Sequence, residues 1–60
     1  MSYLLVCNYM GNGEVGTPVG IYRKRNLRNL LIDYPGAVDY EGDDEATVGG
    51  WVYFELDEAD

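Results

Sequence analysis

The sequence predicts an α+β fold: a small ββαββ domain, a mostly antiparallel sheet with one helix packed on one face. Three observations predict it. An apolar run over residues 3–10 leads into Asn12-Gly13, the apolar period changes from two to nearly four after Arg23, and residues 51–57 alternate strictly. The 60 residues read as a single domain, 1–60, and a chain this short buries only about 60% of the surface its unfolded form exposes. One small core is all it can build. Hydrophobic residues are 47% of the chain and aromatic residues 13%, the composition of a folded domain and not of a disordered acidic tail.

Residues 3–10 (YLLVCNYM) are rich in aromatic and aliphatic side chains and read as the first strand. Asn12-Gly13 is a strong hairpin signal, because both central residues of a type I′ turn need positive φ. A turn centred there sets Gly11 against Glu14, Val6 against Val19 and Leu4 against Ile21, with the aliphatics on one side. Tyr9 then meets Gly16, Cys7 meets Pro18, Leu5 meets Gly20 and Tyr3 meets Tyr22 on the other. Pro18 has no N–H, so the second strand is expected at an edge.

From Arg23 onward Leu27, Leu30, Leu31 and Tyr34 form one helical stripe that Pro35-Gly36 ends. Residues 37–41 read as a short strand and residues 42–50 as an acidic loop. In the last strand Val52, Phe54 and Leu56 share one face, and Trp51, Tyr53, Glu55 and Asp57 the other. One helix covers one face. The other is expected to carry Tyr3, Leu5, Tyr9, Tyr22, Trp51 and Tyr53, a larger aromatic load than a small monomer usually shows to water. Tyrosine and tryptophan are also interface anchors.

Several chemistries are tested by the residues themselves. Gly11, Gly13 and Gly16 spell G-x-G-x-x-G, and Asp33 stands about 20 residues on, where a ribose-binding acid would be. The crossover helix that must follow would fall on EVGTPVGIY, with two glycines, a proline and β-branched residues. Without that helix a phosphate has neither its dipole nor its free N–H groups. In DYEGDDE, Asp39, Glu41 and Asp43 alternate as in a calcium loop, but Asp44 occupies the glycine position and Gly50 the bidentate glutamate position. The chain has no histidine and one cysteine, Cys7, read as a strand residue and not a reactive thiol. No enzyme activity, cofactor or metal is expected. No apolar run approaches the about 20 residues of a membrane helix and no secretory leader is evident, so the expected compartment is the cytoplasm, with no membrane partner.

Charge is the strongest remaining signal. The net charge is −7 in 60 residues. All four cations, Arg23, Lys24, Arg25 and Arg28, lie together, and ten of the eleven acids follow them. That basic cluster is a candidate secondary contact and, as a third reading, a weak nucleic-acid site, against which the overall charge works. Acids alternating along a strand recur about every 6.6 Å on one face. Asp39 and Glu41 on one strand, and Glu55 and Asp57 on another, would form short negative rows, continued by Asp43, Asp44, Glu45 and Glu58. Duplex DNA presents a comparable ladder of phosphates.

Size and acidity together resemble, in type, the small early proteins with which bacteriophages inhibit host enzymes, among them DNA mimics directed at restriction, repair and CRISPR nucleases. The resemblance implies a non-enzymatic protein that occupies a basic surface of a nucleic-acid-binding host protein. The expected contacts are Asp39, Glu41, Asp43, Asp44, Glu45, Glu55, Asp57 and Glu58, with Trp51 and Tyr53 as apolar anchors. The alternative is a homodimeric accessory domain that buries the aromatic sheet face.

Overall fold

A computed structural model describes residues 2–40 and 47–57. Strands β1 (Ser2–Gly11) and β2 (Glu14–Arg23) form the expected hairpin. A 3-10 turn (Lys24–Asn26) leads into helix α1 (Leu27–Asp33), followed by β3 (Val38–Asp39) and β4 (Trp51–Asp57). The sheet order is β2-β1-β4-β3, antiparallel except for the β3/β4 pair. This is the predicted α+β class, with the proline-bearing strand at an edge. Among the described residues of the strand read from sequence at 37–41, Val38 and Asp39 pair, beside Val52 and Tyr53, while Glu41 lies outside the described residues.

The hairpin turn matches its sequence signal. Asn12 and Gly13 have φ of 54° and 78°, as a type I′ turn requires. Register along the hairpin does not match. Gly11 opposes Glu14 and Cys7 opposes Pro18 as expected, but Tyr9 opposes Val15, and beyond Cys7 the ladder shifts. Val6 opposes Gly20, Leu5 opposes Ile21, Leu4 opposes Tyr22 and Tyr3 opposes Arg23. Two residues of β2, Val19 and Gly20, are thus spent against one step of β1. Pro18 supplies no N–H to hold the ladder together at that point, and a bulge at an edge strand costs least. A one-residue slip moves side chains to the opposite face, so Tyr22 joins Leu4 and Val6 while Ile21 joins Leu5.

The helix packs on the face of Leu4 and Val6. These two, with Leu30 and Ala37, form the buried core cluster, and Tyr22, Leu27, Tyr34, Trp51 and Tyr53 pack around it. Seven residues are too few for a helix to hold itself in water. Leu30, fully buried, fastens it to the sheet. Leu31, expected in the buried stripe, is exposed, because so short a helix turns only Leu27, Leu30 and Tyr34 inward. At its end Tyr34 N–H donates to the Leu30 carbonyl, and Gly36, at φ 84°, reverses the chain.

Gly20 is where the shifted register leaves its mark. A Cβ there would lie 3.2 Å from the Tyr22 ring and 3.3 Å from the Tyr34 hydroxyl. Tyr34 cannot retreat easily. Its hydroxyl donates to the Val19 carbonyl at 3.1 Å, and its ring packs edge-on against Tyr22 and Trp51. Glycine in a strand normally costs stability relative to alanine. Here Gly20→Ala is expected to destabilise the domain by about 1 kcal/mol, read as a lower midpoint in urea unfolding.

Candidate protein-interaction surface

The register decides which residues face outward. Tyr22, Trp51 and Tyr53, expected on the uncovered face, lie instead on the helix-bearing face, packed against the core. Trp51 and Tyr53 oppose Asn8 and Val6 across the β1/β4 ladder, so their faces follow those of β1. Tyr3, Leu5 and Tyr9 stay on the far face, joined by Ile21, Phe54 and Leu56. Alternation had grouped Val52, Phe54 and Leu56 correctly. What it could not say is that their face is the one without the helix.

The far face has two halves. At the hairpin end, the Tyr40 ring packs against Phe54 with centroids 6.0 Å apart, and its hydroxyl donates to the Gly13 carbonyl. Tyr9 closes the same turn, its hydroxyl accepting from Gly13 N–H at 3.2 Å. Cys7 and Val52, at the hairpin end of this face, are buried. Burial pushes the Cys7 thiol up from its ordinary value, which disfavours the thiolate.

The other half is partly open, with Ile21 and Leu56 exposed and Tyr3, Leu5 and Phe54 half-buried. Ile21, Leu5 and Phe54 form one straight row across three strands, and Arg23, Tyr3 and Leu56 form the next. Ile21 is 60% exposed and Leu56 39%. The Arg23 guanidinium lies 5.6 Å from the Tyr3 ring centre and borders this patch. Sequence reasoning missed Ile21 and Leu56 as exposed residues and Phe54 as a half-buried residue of this face. The available signal was Pro18-Val19-Gly20, a missing N–H beside a glycine inside a strand.

The described acids sit elsewhere. Glu55 lies on the helix-bearing face of β4, opposite Leu4, and Asp57 two residues on opposes Ser2. Asp39 stands beside Tyr53 on the adjoining strand, so the three share one end of that face. Asp39 and Glu55 line a hollow of about 200 Å3 with Lys24, Leu4, Leu27 and Tyr53. Lys24 Nζ meets Glu55 Oε1 at 3.0 Å. That ammonium holds the Glu55 carboxyl below its ordinary value, with the Ser2 hydroxyl a smaller influence. Ser2 also donates to Asp57 Oδ1 at 2.9 Å. Glu41, Asp43, Asp44, Glu45 and Glu58 lie outside the described residues. Arg25 and Arg28 are exposed, Arg25 on the 3-10 turn and Arg28 on α1.

Comparison with protein families, with curated proteins and with solved structures finds no match. Among the described residues no group of acid, cysteine or histidine side chains is placed to hold a metal ion, and no helix is long and apolar enough to cross a membrane.

One contact between β2 and the helix has a consequence that can be measured. Tyr22 donates to Asp33 Oδ2 at 2.6 Å, tying β2 to the end of α1. That hydrogen bond is the main reason the Tyr22 phenol is pushed up to about 12, with burial and the Asp33 charge adding to it. The folded state therefore retains a proton that the unfolded chain loses near pH 10. Its stabilising effect is fully present below pH 10 and is lost as pH rises towards 12. Thermal unfolding followed between pH 9 and 12 should show a steeper fall for the parent protein than for Tyr22→Phe.

Proposed function

We propose that this chain is a non-enzymatic binding protein that occupies a basic surface of a nucleic-acid-binding partner protein in the cytoplasm, as small phage inhibitors of host enzymes do. The observation that carries the reading is the partly open apolar row of Ile21, Leu5 and Phe54, with Tyr3 and the exposed Leu56, on a molecule of net charge −7. The two features divide the work. Charge of one sign raises the rate of encounter with an oppositely charged surface and repels nucleic acid, while short-range binding energy comes from buried apolar side chains. Fully covering a residue such as Ile21 contributes about 1.5–3 kcal/mol.

Size limits how such a complex is built. An ordinary interface takes about 800 Å2 from each partner, roughly a fifth of the 4227 Å2 this chain exposes. Five apolar side chains do not fill that area. The contact must extend around the sheet end, toward Glu55 and Asp57, and by sequence Asp43, Asp44 and Glu45 add to the negative charge that steers it. In this reading Trp51 and Tyr53 support the sheet beneath the contact and do not anchor it.

A homodimer through the same row is the second reading, and the direct alignment of Ile21, Leu5 and Phe54 favours it. Mutual repulsion of two chains of charge −7 opposes it. Sedimentation and a pull-down from bacterial lysate, with and without competing DNA, separate the two. The binding-protein reading expects a monomer that captures a basic protein, with capture competed by DNA and weakened by salt. Ile21→Glu should weaken that complex at least about tenfold, as should reversal of Asp43, Asp44 and Glu45 to lysine. A stable dimer dispersed by Ile21→Glu, or capture indifferent to all of these changes, overturns it.

A further inference from the structure

The turn that joins β1 to β2 carries a reactive pair. Asn12 and Gly13 are both exposed, and an asparagine followed by glycine cyclises readily, since glycine sets no Cβ beside its own backbone nitrogen. We propose that Asn12-Gly13 is a self-modification site, at which the Gly13 nitrogen attacks the Asn12 side-chain amide, and that Tyr9 and Tyr40 gate the reaction by holding the turn closed.

The reaction needs only water as co-reactant. A bond forms between the Gly13 nitrogen and Asn12 Cγ, the bond from Cγ to the amide nitrogen breaks, and that nitrogen leaves as ammonia with the proton given up by Gly13. A five-membered succinimide remains. Water opens it at either carbonyl, giving aspartate, or isoaspartate in which the main chain runs through Cβ.

The folded turn opposes ring closure. Asn12 has φ of 54°, in the left-handed region, whose ψ is about +47°. At that ψ the nitrogen of the next residue lies nearly opposite Cβ across the Cα–C bond, whereas the ring requires the two side by side. Asn12 must therefore leave its turn conformation before it reacts. Two hydrogen bonds resist this: Gly13 N–H donates to Tyr9 Oη at 3.2 Å, and the Tyr40 hydroxyl donates to the Gly13 carbonyl. The first also engages the proton that the attacking nitrogen must lose. Tyr40 is itself seated against Phe54, so the turn is tied to β4 as well as to its own strand. Local opening takes less free energy than global unfolding, and the reaction rate follows the population of the open turn.

The two products differ in consequence. Aspartate keeps the backbone length, and Asp-Gly suits a type I′ turn, so the hairpin persists with one more negative charge. Isoaspartate adds a carbon to the main chain between Gly11 and Glu14, which pair directly. A two-residue turn cannot absorb it, and both tyrosine bonds to Gly13 are lost.

The inference does not depend on the protein-binding reading. Its test is to incubate the whole chain in warm, mildly alkaline buffer, folded and unfolded in urea, and to follow the peptide that holds residues 12 and 13 by mass spectrometry. Enzymatic methylation specific for isoaspartate identifies that product. The unfolded chain should react at least about tenfold faster than the folded one. Tyr9→Phe and Tyr40→Phe, each lacking one hydrogen bond and shown to be folded by their melting curves, should speed the folded reaction about threefold or more. Gly20→Ala, destabilised away from the turn, should react at close to the parent rate. No modification of Asn12 in the unfolded chain, equal rates folded and unfolded, no change in either tyrosine variant, or an equal acceleration in Gly20→Ala overturns the proposal.

Discussion

The extra residue that β2 spends at Val19-Gly20 governs the rest of the structure. Between Val6 and Cys7 the ladder slips by one, and a slip of one exchanges the faces of every side chain beyond it. Gly20 and Tyr22 turn to the helix side as a result. The space above Gly20 takes the Tyr34 ring, which links Tyr22 to Trp51 by edge-on contacts. Tyr22 reaches Asp33 and fastens the end of the helix. Without the slip, Ile21 would lie under the helix and Tyr22 outside, and the helix would lose that fastening. The slip also blunts an edge strand. Pro18 offers no donor, and the Val19 carbonyl is occupied by Tyr34, which leaves less of β2 for another chain to pair with.

The tyrosines show how a chain of this size holds its elements in place. Four of the six donate or accept through the phenol oxygen: Tyr22 to Asp33, Tyr34 to Val19, and Tyr40 and Tyr9 to the Gly13 backbone. Each bond joins segments distant in sequence or closes the turn. A small domain buries too little apolar surface to rely on packing alone, and a residue that supplies both a ring to pack and a polar tip to bond does two jobs at one position. An aromatic-rich composition is therefore compatible with an interface and with internal fastening. In this protein fastening claims most of the rings.

Among the described residues, Glu55 and Asp57 lie on the helix-bearing side of the sheet and the apolar row of Ile21, Leu5 and Phe54 on the other. A surface so divided can attract by its field and bind by its apolar patch, since the field acts over about 8–10 Å at ordinary salt and burial acts only on contact.

Much of this was written in local patterns. Asn12-Gly13 specified the turn, because few residues accept positive φ twice in succession. The stripe of Leu27, Leu30 and Tyr34 specified the helix, Pro18 the edge, and the alternation of residues 51–57 the last strand and its two faces. From these followed the α+β class. Which face the helix would choose was not written there. Two amphipathic strands each offered an aliphatic and an aromatic side, and both sides are apolar enough to serve as a core. Hydrophobic pattern alone cannot rank them. The choice was made by packing: a glycine with room above it, a tyrosine that fits the room and finds a carbonyl, and a ladder able to slip where a proline withholds its hydrogen bond. By itself the sequence determined the elements and the acidic field around them. Only the tertiary structure decided which apolar face stayed open, because that depended on side chains far apart in the chain meeting in one register.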